Sequence, residues 1–244
     1  MVATFHVRSN SFPSRPHPQA AHVDEQLSRL RSSEEASTSS SSSICQRLDK
    51  IQELHESLDK LIHLPALAQE QNKKAIEKLL DGSLRILDLC NISKEASSQM
   101  KEGLMEIQSV LRRKRGDLSG EVKKYLGSRR SVKKSFQKIF KSLKVKQDKE
   151  YNDKSLAMFG EAEAVTMALF DTLFFFMSGS RTYGKWFQAN EFASVDSEFQ
   201  SEKTLKMEDV QILESCIQDL EDGLESLSKS MIKYRVSILN ILCH

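Results

Sequence analysis

The chain has 244 residues, 39% of them apolar, with nine Gly, four Pro and a formal charge of +2 at pH 7. That length can bury one sizeable core, and the scarcity of breakers after residue 43, where Pro65 is the one proline, excludes a turn-rich β protein in favour of long helices. The near-neutral total hides a polarised chain: residues 111–149 hold fifteen Lys+Arg against three acids, or +12, and the remainder holds 21 basic against 31 acidic side chains, or −10.

Residues 1–43 read as a disordered Ser/Pro-rich tail. SSEEASTSSSSS at 32–43 carries eight serines and no core side chain to offset the entropy of ordering. A short helix over Asp24–Arg31 has only Leu27 and Leu30 as anchors. No acid precedes Asp24, which leaves plastid or mitochondrial targeting open, and no continuous apolar run resembles a secretory signal. Within the tail, RSNSFP has the form Arg-Ser-x-Ser-x-Pro. Arg8 lies three residues before Ser11, as a basophilic kinase requires, and phosphate on Ser11 adds about −1.5 to −2 charges for an Arg cluster to read. Arg8, Ser9, Ser11 and Pro13 are therefore a candidate phosphopeptide docking site for 14-3-3 proteins. A tail that matches a short motif by chance is the plainer account.

The fold is expected over residues 44–244. Ile44, Leu48, Ile51, His55, Leu58 and Ile62 form an amphipathic stripe, with Ser43 as N-cap and Pro65 as interruption. His55 is read as a core residue, because no second ligand lies at metal-binding spacing. Two helices follow, about 72–90 and 93–115, the second capped by Ser93 and stopped at Gly116 behind Arg112, Arg113, Lys114 and Arg115. The basic helix, about 119–146, buries Val122, Tyr125, Arg129, Val132, Phe136, Ile139 and Leu143 on its stripe. The next, about 153–177, is apolar around most of its circumference and is expected to lie deepest. It falls short of the ~20 uninterrupted apolar residues of a spanning helix because Glu163 and Asp171 interrupt it. Residues 179–203, with the lone Trp186, read as a loop containing one helical turn. Last comes a seam of coiled-coil quality: Leu213, Ile217, Leu220, Leu224, Leu227, Met231, Tyr234, Ile238 and Ile241. It either closes the bundle or pairs with a partner, and closure is favoured because the other helices need cover.

The basic helix supports three readings. Arg129, Arg130, Lys133, Lys134, Lys138, Lys141 and Lys144 form a candidate basic surface, which is either a solvated bundle face or a docking face for an anionic membrane at about 1 kcal/mol per near-surface cation. Phe136, Phe140 and Leu143 also have the 1-5-8 spacing that calmodulin accepts. Nucleic acid is disfavoured, since the aromatics fall on the buried stripe and no recognition signature appears. No phosphate-binding glycine loop or H-E-x-x-H is present, and no cofactor or metal is expected. Glu161 and Glu163, two apart, point to different faces. Asp171 is expected to be a buried carboxylate paired with a cation of the basic helix. Cys45, Cys90, Cys216 and Cys243 are scattered, as small buried thiols of a reducing compartment are.

FHVRSNSFPSRPHP (5–18), LLDGSLRILDLC (79–90) and LEDGLESLSKSMIKYRVSILNIL (220–242) resemble strings of the plant-specific BYPASS-related family, over nearly the whole chain. Ser228-Lys229-Ser230 departs from the basic or aromatic residue common there. The resemblance implies an all-α flowering-plant protein. It carries over no catalytic residues, since the family has no accepted enzymatic activity. Its named member is tied to shoot and root development through a long-distance signal. Together these readings predict an elongated bundle of about five or six helices with a coiled-coil-like C-terminal helix. The functional expectation is a non-enzymatic adaptor in developmental or stress signalling, cytoplasmic and at most peripheral at a membrane. A membrane or trafficking factor acting through the basic helix is the alternative.

Overall fold

Apolar side chains spaced alternately by three and four gather on one face of a helix with about 3.6 residues per turn, and most of this chain has that spacing. The structure, a computed structural model, describes residues 17–35, 40–64, 73–144, 154–178, 191–200 and 206–243. Among them are seven helices and no strand: α1 (Pro18–Glu35), α2 (Ser41–Ile62), α3 (Lys73–Arg113), α4 (Leu118–Lys144), α5 (Lys154–Met177), α6 (Glu191–Gln200) and α7 (Met207–Cys243). The chain is the all-α bundle its periodicity predicts.

Residues 18–35 correct the expected boundary of the tail. α1 packs on α2 and α5, burying Val23, Leu27 and Leu30. Three apolar side chains cannot hold an isolated helix, but they suffice where neighbours offer an apolar surface. α2 starts earlier than expected: Ser40 is its N-cap and accepts from the amide of Ser43 at 3.3 Å.

The two helices expected over 72–115 are one helix of 41 residues, about 60 Å long at ~1.5 Å per residue. Ser93 does not cap anything; its hydroxyl donates to the Leu89 carbonyl at 2.7 Å in mid-helix. α3 ends where expected, with Lys114 at φ 50° and Gly116 at φ 123°, a left-handed conformation that glycine adopts without steric penalty. Asp117 then caps α4, accepting from the Gly120 amide at 2.8 Å.

α7 runs parallel to α2, as the pairs Ser41–Cys216 and Lys233–Asp59 show, and antiparallel to α3, where Lys94 meets Glu225 and Lys101 meets Glu221. Of the seam, Leu213, Ile217, Leu220, Leu224, Leu227, Met231, Tyr234 and Ile238 are all buried, and Ile241 is partly buried at the end. The seam is intramolecular. α5 is less central than its composition suggests: it touches α1 to α4, but Ala164, Asp171 and Phe175 form a row exposed to solvent. The single turn expected between residues 179 and 203 is α6, ten residues that bury Phe192, Val195 and Phe199.

Candidate functional site

α4 carries the charge and divides it between two faces. Val122 is partly buried, while Tyr125, Val132 and Phe136 are buried against α3 and α5, and Phe136 stacks on Phe174 with centroids 4.1 Å apart. Close approach to α3 is allowed by Gly103, where a Cβ would stand 3.1 Å from the Tyr125 ring. On the opposite face Lys123, Arg130, Lys134 and Lys138 are exposed at helical spacing, and Lys133 is half-buried. Arg130, Lys133, Lys134 and Lys138 form no ion pair among the described residues. Lys141 and Lys144 continue the sequence pattern, but their side chains lie outside the described residues, as do those of Phe140 and Leu143.

Arg129 is a correction to the basic surface. It is 5% exposed and reaches across the core. Its Nη2 donates to Asp196 Oδ2 of α6 at 3.0 Å and its Nε to Oδ1 at 3.4 Å. Nη1 donates to the Met177 carbonyl at the C-terminus of α5, and the guanidinium lies 4.6 Å from the centre of the Phe192 ring. One cation thus ties α4, α5 and α6. Tyr125 supports α6 as well, edge-on to Phe199 at 5.2 Å, and burial pushes its phenol pKa up. Asp171, expected to be the buried charge, is exposed on α5. The buried pair runs the other way, with an inward cation answered by a carboxylate of α6, where the sequence predicts a loop with one helical turn.

Several other polar groups join helices. His55 Nε2 lies 3.0 Å from the Thr166 hydroxyl, which donates to the Ala162 carbonyl at 2.7 Å. That hydroxyl has one proton, so Nε2–H must be the donor to it, and Nδ1 is left without a partner. Burial lowers the His55 pKa from 6.5 to about 4, so the ring is neutral. Glu161 pairs with Arg31 at 2.5 Å and Glu163 with Arg85, on different faces as their spacing requires. Ser41 donates from both amide and hydroxyl to Glu191, at 3.1 and 2.9 Å, fastening α2 to α6.

All four cysteines are free. Cys90 and Cys216 are buried and Cys45 half-buried, while Cys243 is exposed, contrary to expectation. Burial raises the Cys45 and Cys90 pKa values to about 11, which suppresses the reactive thiolate. Among the described residues no three His, Cys, Asp or Glu side chains gather as a metal site would require. A shallow groove of about 350 Å³ between α3 and α4 is lined by Glu102, Gly103, Glu106, Glu121, Lys124 and Tyr125. Lys124 closes one side by donating to Glu121 at 2.7 Å.

Arg8, Ser9, Ser11 and Pro13 lie outside the described residues, as do Pro65 and Trp186. In the departure Ser228-Lys229-Ser230, both serines are buried and Lys229 is exposed, 3.5 Å from Glu225. No helix among the described residues is long and apolar enough to cross a membrane. Neither the curated proteins nor the solved structures contain a match to the chain. A protein-family model does match, over residues 47–241, from the second turn of α2 to the last of α7, and it takes in the inward seam, the basic helix and the Arg129 clamp. The chain belongs to the Protein BPS1 (BYPASS1) family, whose membership points to a role in plant development.

Proposed function

We propose that this protein is a non-enzymatic helical adaptor in plant developmental signalling, with the exposed row of α4 as one interaction surface and RSNSFP as a regulated docking peptide. One observation carries the reading. Among the described residues the interior is packed mainly by apolar side chains, whereas Arg130, Lys134 and Lys138 stand in solvent and form no ion pair there. A one-signed row of this kind attracts an anionic partner over about a Debye length, ~8–10 Å. The titratable groups inside the bundle support the same view: the His55 ring is neutral and the thiols are held protonated, so they serve packing.

The same cations favour a second reading, peripheral attachment to an anionic membrane. No large apolar side chain of α4 is exposed among the described residues, so attachment would be electrostatic, without insertion. Capture of α4 by calmodulin would require Phe136 to leave its stack on Phe174, which makes it the poorer fit. Sedimentation with vesicles rich in anionic lipid separates the readings. Salt-sensitive binding that is lost in Arg130→Glu/Lys134→Glu/Lys138→Glu supports attachment; absence of binding in the parent refutes it. For the adaptor, affinity capture from plant extract compares the parent with Ser11→Ala, each with phosphatase controls. Recovery of 14-3-3 proteins by the phosphorylated parent alone supports the docking peptide, and equal recovery by all samples refutes it.

A further inference from the structure

α7 changes character along one row. In its N-terminal half the row facing the rim of α3 is polar and bridged: Glu214 accepts from Gln108 at 2.5 Å, Lys101 reaches Gln218 and Glu221, and Lys94 donates to Glu225 at 2.7 Å. Continued by the helical period, the same row becomes Ile232, Val236 and Leu239, which are 54%, 50% and 39% exposed. Across from them Arg235 donates to the Leu80 carbonyl at 2.6 Å and to Ser83 at 3.0 Å, a register that sets Leu84, 46% exposed, beside Val236. A single exposed leucine needs no account, but four large apolar side chains along one seam do.

We infer that the outer α3–α7 seam, centred on Leu84, Ile232, Val236 and Leu239, is a docking surface for a second copy of this chain. The charges at its edges identify the occupant. Lys229 stands exposed on the α7 edge, and Glu77, Asp81 and Asp88 stand exposed on the α3 edge. A surface with opposite charges on opposite edges is complementary to itself about a two-fold axis, as an isologous dimer requires. With the axis parallel to the helices, α3 of one copy lies over α7 of the other. The register that pairs Lys94 with Glu225 and Ser83 with Arg235 brings Asp88 level with Met231, so each Asp88 then meets Lys229 of the other copy. An axis across the helices would set like-charged edges together. Two such patches with their rims cover about 1,000 Å², at the lower bound for a specific interface, so a weak dimer is expected.

Sedimentation velocity of the full chain from about 1 to 200 µM tests the inference. The parent is expected to pass from monomer to dimer, and Val236→Asp to raise Kd about tenfold or more with its thermal unfolding in dilute protein unchanged, since the side chain is exposed. Lys229→Glu and Asp88→Lys should each weaken the dimer, and the two together should restore it. A parent that stays monomeric throughout overturns the inference, as does a dimer that Val236→Asp leaves intact. Failure of the double swap to restore association overturns the proposed axis and pairing.

Discussion

Replacing Arg129 by Ala should be among the most destabilising changes at any charged residue of this protein, although an identical arginine follows it in sequence. The substitution removes two hydrogen bonds to Asp196, one to the Met177 carbonyl and the contact with the Phe192 ring. It leaves a carboxylate and a helix-terminal carbonyl without their donor. Breaking a buried pair by removing one member costs about 3–5 kcal/mol. The Asp196 side chain is 19% exposed, so water relieves part of its charge and the low end, about 3 kcal/mol, is expected. That is a large share of the ~5–15 kcal/mol that holds a typical domain. Urea unfolding followed by far-UV circular dichroism measures it, with Arg130→Ala as the control, expected within about 0.5 kcal/mol of the parent. In a double-mutant cycle, Arg129→Ala with Asp196→Ala should cost less than the sum of the two by about 1–3 kcal/mol. Equal effects of Arg129→Ala and Arg130→Ala would refute the clamp, and additivity with Asp196→Ala would refute the pairing.

Two further outcomes test the interior. The folded-state pKa of His55, about 4, lies below its ordinary value of 6.5, so between those values the unfolded chain binds a proton that the folded chain refuses. Its contribution is complete above pH 6.5, falls as pH drops toward 4 and levels off below; about 3 kcal/mol is at stake. The urea midpoint of His55→Leu should therefore fall less than that of the parent from pH 7 to 4.5, and parallel curves would count against a buried neutral ring. On α7, Leu227→Ala should cost about 2–5 kcal/mol, while Val236→Ala, measured in dilute protein, should stay within about 0.5 kcal/mol. The reverse order would mean that the helix is rotated from the orientation described.

Much of the architecture was legible along the chain because helix burial follows local periodicity. The seam from Leu213 to Ile238 could be written down from spacing alone, and it is the row that faces inward. The end of α3 was legible too, since Gly116 needs no partner to favour a left-handed stop. Ser93 misled because a serine that bonds back to the preceding turn looks, in sequence, like a serine that starts a helix. Of α1 only the stretch Asp24–Arg31, with Leu27 and Leu30, is legible in sequence, because its full length is stabilised by α2 and α5, about which residues 18–35 carry no signal.

The candidate site divides along the same line. The +12 charge of residues 111–149 and the period that displays Arg130, Lys134 and Lys138 on one face are properties of the string. Arg129 already fell on the apolar stripe, a hint that it points inward, but nothing local named its partner. Asp196 lies 67 residues away, in a stretch whose local pattern predicts no more than one helical turn within a loop. Fold class followed from composition and periodicity, because helix burial is set by neighbours within a few turns, and the family followed from the resemblance of specific strings. Which cation is buried, which carboxylate answers it, and where α7 leaves Ile232, Val236 and Leu239 in water were decided by tertiary packing. Burial of a charge and exposure of an apolar row depend on what the rest of the chain places opposite them.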